Sequence, residues 1–403
     1  MPVISAPVDF NEEELYVDLQ SIVGHSLFLK CEGFNFAGSI KLKAALSMVE
    51  AAEWAGDLRP GSVLVESSSG NLGVALSLIA ASKGYDFVCV TDARCNLSAR
   101  RIMEALGCRV HVIDEPASSN GLLGARIAYV RALCAADDRY VWLNQYANAD
   151  NWKAHFRTTG PAIARQFPGL DVLFVGAGTT GTLMGCARYF RESQRKVRVV
   201  AVDSVGSVTF GGEPGRRMIP GLGTSVRPAL LNESYVDDVV LVEEPDTVRA
   251  CHRLARRGFL FGGSTGTVVS GAASWLDQHD AHGLTAVAIS PDLGERYLET
   301  LYHPQWLHEV YGADVLGADV LGADVVDAKA MESEPLGSQP PLAGNGLGPE
   351  PLHTAALGTG GVGGAAAGNA RLGTAGSGLV GDGALAADLA GDLGGDRCEF
   401  RAH

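Results

Sequence analysis

Lys41 lies in GSIKLKAALSMVEAAEWAG, where Gly38 and Ser39 open a strong helical pattern and Ser39 is suited to cap it. The lysine then falls in the first helical turn, at the positive end of the helix dipole, which disfavours a cation and lowers an amine's pKa. A partly neutral amine attacks carbonyl carbon, the state that Schiff-base chemistry needs. A solvated surface lysine fits the same pattern, and Lys30 and Lys43 compete for the role. In VESSSGNLG, Ser68, Ser69, Gly70 and Asn71 offer hydroxyls and backbone amides where a helix begins. Such a turn cradles a carboxylate or a phosphate, or is simply capped. DVLFVGAGTTGTLMG places Gly176, Gly178 and Gly181 in G-x-G-x-x-G spacing between a strand and a helix, with Asp203 at the end of the next strand. This is the dinucleotide fingerprint, so a nicotinamide-dependent dehydrogenase is the alternative from a different class. Thr179, Thr180 and Thr182, however, add hydroxyls where a dinucleotide loop needs bare backbone, and donors converging on one point suit a terminal phosphate monoester. FGGSTG and SPDLGERY supply Ser264 and Asp292, each also readable as a turn residue.

Positioning these clusters requires a scaffold, and the pattern between Ser62 and Ile289 provides one. Short β-branched runs alternate with helix-period segments: SVLVE, NLGVALSLIAASKG, DFVCVT, LSARRIMEALG and RVHVID, then YVWL, a helix over about Trp152 to Arg165, DVLFV, VRVVAV, a helix over about Asp246 to Arg257, and LTAVAI. Alternation of this kind predicts parallel strands covered by helices, with ligands held beyond the strands' carboxyl ends. The four clusters sit at such junctions and read as one site.

The 403 residues, 46% hydrophobic and 19% charged, suffice for one large or two ordinary domains with real cores. The net charge of −14 argues against nucleic acid as a partner and leaves a small molecule as the default. No apolar run is long enough to span a membrane, and the N-terminus lacks the basic start and apolar core of a signal peptide. The eight cysteines show no CxxC or metal-ligand spacing and sit mostly in apolar runs, as reduced core thiols of a cytoplasmic protein would. Near residue 310 the character changes. GADVL recurs, the last copy as GADVV, and Gly/Ala/Pro-rich sequence follows, with 21 of the 51 glycines in residues 311–403. Those residues hold twelve acidic against four basic side chains, so −8 of the charge resides there. The composition predicts a tail without a packed core.

The motifs resemble those of the cysteine-synthase-like superfamily of pyridoxal-phosphate (PLP) enzymes. GSIKLK is similar to GSVKDR, SSSGNLG to TSGNTG, GTTGT to GTGGT, and GGSTG and PDLGERY to GISSG and PSFGERY, in the same order, from about Gly24 to Tyr302. The resemblance implies an α/β, tryptophan-synthase-β-like fold (fold type II) with parallel or mostly parallel sheets flanked by helices, PLP as cofactor in the cleft, and a homodimer. The expected division is 1–145 as the N-terminal domain, its earliest residues able to cross over to the second, 146–310 as the domain carrying the phosphate loop, and 311–403 as the tail. Carried over, Lys41 forms the Schiff base, Asn71 bonds the cofactor's phenolic oxygen, and Gly178, Thr179, Thr180, Gly181 and Thr182 hold its phosphate. Ser68, Ser69, Gly70 and Gln145 line the substrate carboxylate site, and Ser264, in preference to Asp292, meets the pyridine nitrogen.

Three departures stand against a standard cysteine synthase: Leu42 and Lys43 replace Asp and Arg, Leu72 replaces a Thr, and SIVGHSLF replaces IGNTPL. GSIKLK, RMIPGLG and GGSTG resemble instead the 2,3-diaminopropionate-pathway subfamily, which joins O-phospho-L-serine to L-glutamate in siderophore and antibiotic biosynthesis. The expected activity is that β-replacement, giving N-(2-amino-2-carboxyethyl)-L-glutamate; cysteine synthase, cystathionine β-synthase and serine/threonine dehydratase are its rivals. Arg216 and Arg217, in a Gly/Pro-rich loop, are candidates for holding the acceptor's carboxylates, or are solvated loop residues.

Overall fold

The computed structural model describes residues 4–10, 12–93, 95–116, 121–281 and 283–317. The chain opens with β1 (Tyr16–Asp18), α1 (Gln20–Val23), β2 (Leu27–Cys31) and α2 (Lys41–Ala55), then alternates β3 (Val63–Ser67), α3 (Asn71–Lys83), β4 (Asp86–Asp92), α4 (Leu97–Ala105), β5 (Arg109–Ile113), α5 (Gly121–Ala136) and β6 (Tyr140–Trp142). There follow α6 (Ala149–Arg157), α7 (Thr159–Gln166), β7 (Val172–Gly176), α8 (Gly181–Glu192), β8 (Arg198–Ser204), β9 (Asp238–Val242), α9 (Glu244–Ala255), α10 (Gly263–Gln278), β10 (Ala286–Ser290) and α11 (Pro304–Tyr311). Among these residues, two sheets form, in the orders β5-β4-β3-β6 and β1-β2-β10-β7-β8-β9. Every pairing is parallel except β1 with β2.

The strands read as continuous apolar runs because both faces of each sheet are covered. In β3, Leu64 turns into the core under α2, α3 and α4, while Val63 and Val65 face Val130 of α5. In β7, Val172 and Phe174 pack on Trp275 of α10, while Leu173 and Val175 meet Ile163, Leu183 and Phe190 on the other side. Each such buried side chain stabilises the fold by about 1.5–3 kcal/mol before entropy is counted.

Two local expectations are corrected. The helix predicted over about Trp152 to Arg165 is two helices, broken at Thr158 (φ −123°, ψ −66°). There the Thr158 hydroxyl competes for the Ala154 carbonyl at 2.8 Å, and Pro161 has no N–H to continue the ladder. Ser39 is not the N-cap of α2. That residue is Ile40, with no side-chain cap, because Ser39 is drawn into an antiparallel bridge with Asp292.

Packing continues past residue 310: the Tyr311 hydroxyl bonds Glu244 Oε2 at 2.8 Å, and the buried Val315 accepts a hydrogen bond from Arg249 Nη1 at 3.0 Å. The rest of the Gly/Ala-rich tail, from residue 318, lies outside the described residues. Among the described residues no helix is long and apolar enough to cross a membrane, and no group of three or more His, Cys, Asp or Glu could hold a metal.

Candidate active site

Lys41, Ser68, Ser69, Gly70, Asn71, Gln145, Gly178, Thr179, Thr180, Gly181, Thr182 and Ser264 all line one cavity of about 610 Å³. They reach it from the carboxyl ends of β3, β6 and β7 and from the starts of α2, α3, α8 and α10, where parallel sheets concentrate binding groups. Lys41 is the first residue of α2, and its Nζ lies 3.5 Å from Thr179 Oγ1. Desolvation by the surrounding protein lowers its pKa from 10.5 to about 8. Burial is therefore the cause that depresses this amine, where the sequence had pointed to the helix dipole.

The turn before α8 is built to hold a compact anion. Thr180 is its N-cap in the left-handed conformation, φ +65°, and Gly181 and Thr182, which open α8 and whose amides have no partner within the helix, line the cavity. The buried Thr180 Oγ1 has no hydrogen-bond partner among the described residues. Bulk is excluded around the turn: a Cβ on Gly178 would stand 2.9 Å from the Gly221 carbonyl, and one on Gly181 would stand 2.0 Å from Asn151 Oδ1. An orphaned hydroxyl, two more threonine hydroxyls and a helix N-terminus form a donor set that fits a phosphate monoester, and with a desolvated lysine they fit PLP.

Asn71 is held on both sides: its Nδ2 donates to Asp292 Oδ2 at 3.1 Å, and its Oδ1 accepts from Arg296 Nη1 at 2.5 Å. Asp292, whose carboxyl is pushed up by burial, also accepts from the Tyr297 hydroxyl at 2.5 Å and does not line the cavity. Ser264 does line it, closely approached by the loop at Gly221, where a Cβ would come within 2.0 Å of Ser264 Oγ. Ser68 Oγ accepts from the Gly73 and Gly70 amides at 2.9 and 3.3 Å, so it anchors the turn into α3 while Ser69 and Gly70 remain more open. Gln145 is fixed by Nε2 on the Ser67 carbonyl, 2.9 Å, and by its own amide on Glu66 Oε2, 3.2 Å; burial pushes the Glu66 carboxyl up to about 7.

Four residues of this site were not anticipated. Arg296 and Tyr146 line the cavity, and Asn151 ties it together by donating to the Gln145 carbonyl at 2.7 Å and Thr179 Oγ1 at 3.1 Å. The fourth is Arg126 of α5. It is 5% exposed, its Nε stands 3.3 Å from Asp92 Oδ2, and neither Nε nor Nη1 has a hydrogen-bond partner among the described residues. A guanidinium set in a cavity wall with donors to spare is an anion receptor. In the sequence it hides inside the apolar helix GLLGARIAYVRALCAA, where Arg126 and Arg131 both look like surface residues. Of the two loop arginines, Arg217 lines the cavity, with Nη1 on the Gly206 carbonyl and Nη2 3.4 Å from Ser225 Oγ. Arg216 is exposed and off the cavity.

The chain is similar to several known proteins. An N-(2-amino-2-carboxyethyl)-L-glutamate synthase of Ralstonia nicotianae is 40% identical over 286 residues, 70% of this chain and 84% of that protein. Among solved structures, O-ureido-L-serine synthase superposes with a TM-score of 0.69 at 32% identity, covering 81% of this chain and all of that one. The O-acetylserine-dependent cystathionine β-synthase of Helicobacter pylori gives 0.69 at 25% identity, covering 74% and 99%. These relatives set aside the alternative of a nicotinamide-dependent dehydrogenase. The family model described as pyridoxal-phosphate dependent enzyme matches residues 16–292, and the chain belongs to that family, with the α/β fold of its tryptophan-synthase-β-like members.

Proposed function

We propose that the protein joins O-phospho-L-serine to L-glutamate by PLP-dependent β-replacement, giving N-(2-amino-2-carboxyethyl)-L-glutamate and phosphate for 2,3-diaminopropionate biosynthesis. Bound PLP supplies an electron sink that acidifies the substrate's α-carbon and weakens the bond to its β-substituent. Lys41 anchors the cofactor, and Gly178–Thr182 hold its phosphate. The free Lys41 amine would take the α-proton as phosphate leaves the β-carbon, and would return that proton to the α-carbon after the glutamate amine has bonded to the β-carbon. Ser69, Gly70 and Gln145 orient the substrate carboxylate. Asn71, clamped by Asp292 and Arg296, would bond the cofactor's phenolic oxygen. Ser264 offers a neutral partner to the ring nitrogen, which favours elimination.

The observation that carries the choice of donor is Arg126. A buried guanidinium with unused donors in the wall of the lysine's cavity suits a leaving group that departs as a phosphate dianion. Acetate, with a single charge, would be held there less strongly than a phosphate dianion, and water would leave the donors unmet. Arg217, on the loop at the cavity's edge, suits the carboxylates of the incoming glutamate.

The same reading places the protein in the cytoplasm, supported by seven described cysteines that are all free. It takes the chain as a homodimer of two-domain subunits divided near residue 145, with β1 and β2 crossing into the second sheet. The test is to supply O-phospho-L-serine with glutamate, sulfide or homocysteine in separate reactions and to identify products by mass. Glutamate should be the preferred acceptor; faster turnover with sulfide would make the protein a cysteine synthase.

A further inference from the structure

Behind the phosphate loop runs a row of polar side chains that the mechanism above leaves unused. Lys43, two residues beyond Lys41 on α2, is buried, with Nζ 3.1 Å from Glu32 Oε1 and 3.4 Å from Thr159 Oγ1. Thr159 Oγ1 is 3.1 Å from His155 Nδ1, and His155 Nε2 is 3.2 Å from Thr182 Oγ1 on the cavity wall. Thr159 is wholly buried and His155 is 1% exposed. Their helices touch backbone to side chain, because a Cβ on Gly185 of α8 would stand 2.4 Å from the Trp152 carbonyl and 2.6 Å from His155 Cβ. Four side chains from α2, α7, α6 and α8 thus form one unbroken file.

We propose that this file is a polarised hydrogen-bond relay in which Lys43 sets the direction, His155 is held as the neutral Nε2–H tautomer, and Thr182 in consequence presents its hydroxyl proton to the cofactor phosphate. The proposal rests on the reading of Gly178–Thr182 as the phosphate loop. An ammonium has three donors and no acceptor, so Thr159 must accept from Lys43. The Thr159 proton is then free to be donated, and His155 Nδ1 is its acceptor among the described residues; a second donor there would leave a buried hydroxyl proton unmet. With Nδ1 accepting, the neutral ring carries its proton on Nε2 and donates it to Thr182 Oγ1. The remaining Thr182 proton can only point onward.

The charges around the relay hold it in that state. Burial alone would raise the Glu32 carboxyl, but Lys43 and Lys30 keep it below its usual range, so an ionised carboxylate sits against the Lys43 ammonium. Burial, aided by Lys43 and Lys41 against the opposing pull of Glu32, lowers His155 to about 3, which keeps the ring neutral. Lys43, Thr159 and His155 are positioning residues: none reaches the reacting atoms, and each acts through Thr182.

The deciding measurement is nitrogen NMR of the holoenzyme labelled with ¹⁵N-histidine, His155 being assigned by comparison with His155→Gln. The expected spectrum shows a neutral ring protonated at Nε2; a ring protonated at Nδ1, or at both nitrogens, overturns the relay. Thr159→Val breaks the file without touching the ion pairs, and Lys43→Met removes its head. Each should mix the tautomers, shift the ³¹P signal of the bound cofactor and raise the PLP dissociation constant about tenfold, one neutral hydrogen bond's worth. Lys43→Arg, still a pure donor, should keep the wild-type spectrum. Unchanged tautomer and unchanged PLP affinity in Thr159→Val would equally overturn the proposal, whether or not Lys43→Met folds. Failure of the wild type to bind PLP at all would instead overturn the reading of the cavity beneath it.

Discussion

Arg126→Gln keeps a polar side chain in the cavity wall but removes its charge. The structure leaves two of the guanidinium's nitrogens without a hydrogen-bond partner, one of them also 3.3 Å from Asp92, so one to two charge-assisted bonds are on offer to a ligand. At about 1.5–3 kcal/mol for each, their loss should lower kcat/KM for O-phospho-L-serine by about 10- to 100-fold or more, since about 1.4 kcal/mol is a factor of ten. The substitution also strips Asp92 of a buried cationic neighbour, a cost of up to about 3–5 kcal/mol in stability. A fall with one donor alone therefore proves little, and O-acetyl-L-serine serves as the internal control. Steady-state rates with both donors at saturating glutamate give the ratio that matters. The expected result is a ratio that falls by at least tenfold against O-phosphoserine, in protein that retains wild-type cofactor content. An equal loss with both donors would make Arg126 a structural residue, and no loss with either would remove it from the donor site.

Four further outcomes follow from the geometry. Because burial takes Lys41 from 10.5 to about 8, the rate at which apoprotein combines with PLP should rise with pH and level off above about 8; a rate still climbing toward 10 would contradict a desolvated amine. The folded-state value lies below the unfolded one, so the cost of burying this ammonium is present in full below pH 8 and is relieved between about 8 and 10.5. Across that window thermal unfolding should show the apoprotein gaining stability relative to Lys41→Met. Arg217→Ala should weaken glutamate use by about 1.5–3 kcal/mol and leave intact the spectral change that O-phosphoserine alone produces, whereas Arg216→Ala, off the cavity, should change neither. Truncation after Gly317 should preserve cofactor content, but truncation after Val310 should cost about 2–4 kcal/mol through the lost Tyr311–Glu244 bond and the packing of Val315 and Leu316, measured by denaturant unfolding.

Most of the site was legible because its parts are local. A Gly/Ser/Thr turn between a strand and a helix announces itself in five or six residues, and every cluster so marked lines the cavity. The parallel sheets were legible for the same reason, from the alternation of apolar runs with helix-period segments. What escaped was long-range. Arg126 has the local pattern of a helix surface, and its meaning comes from Asp92 and the cavity wall. Arg296 stands beside Asn71 across 225 positions, a pairing no spacing encodes. Lys43 looked like a rival to Lys41, and only the buried Glu32 shows that it serves an ion pair. The break at Thr158 was missed because a helical period crosses it unchanged, and the end of the packed body was set too early because GADVL looks alike in every copy while Val315 in the first finds a pocket.

The central claim is that Lys41 carries PLP in this cavity. It is tested most directly by reducing the purified protein with borohydride, digesting it and mapping the lysine that bears the pyridoxyl group by mass spectrometry. The expected label lies on the peptide containing Lys41 and is absent from Lys41→Ala. Label on Lys30, Lys43 or Lys153, or none at all on protein saturated with PLP, would contradict the assignment.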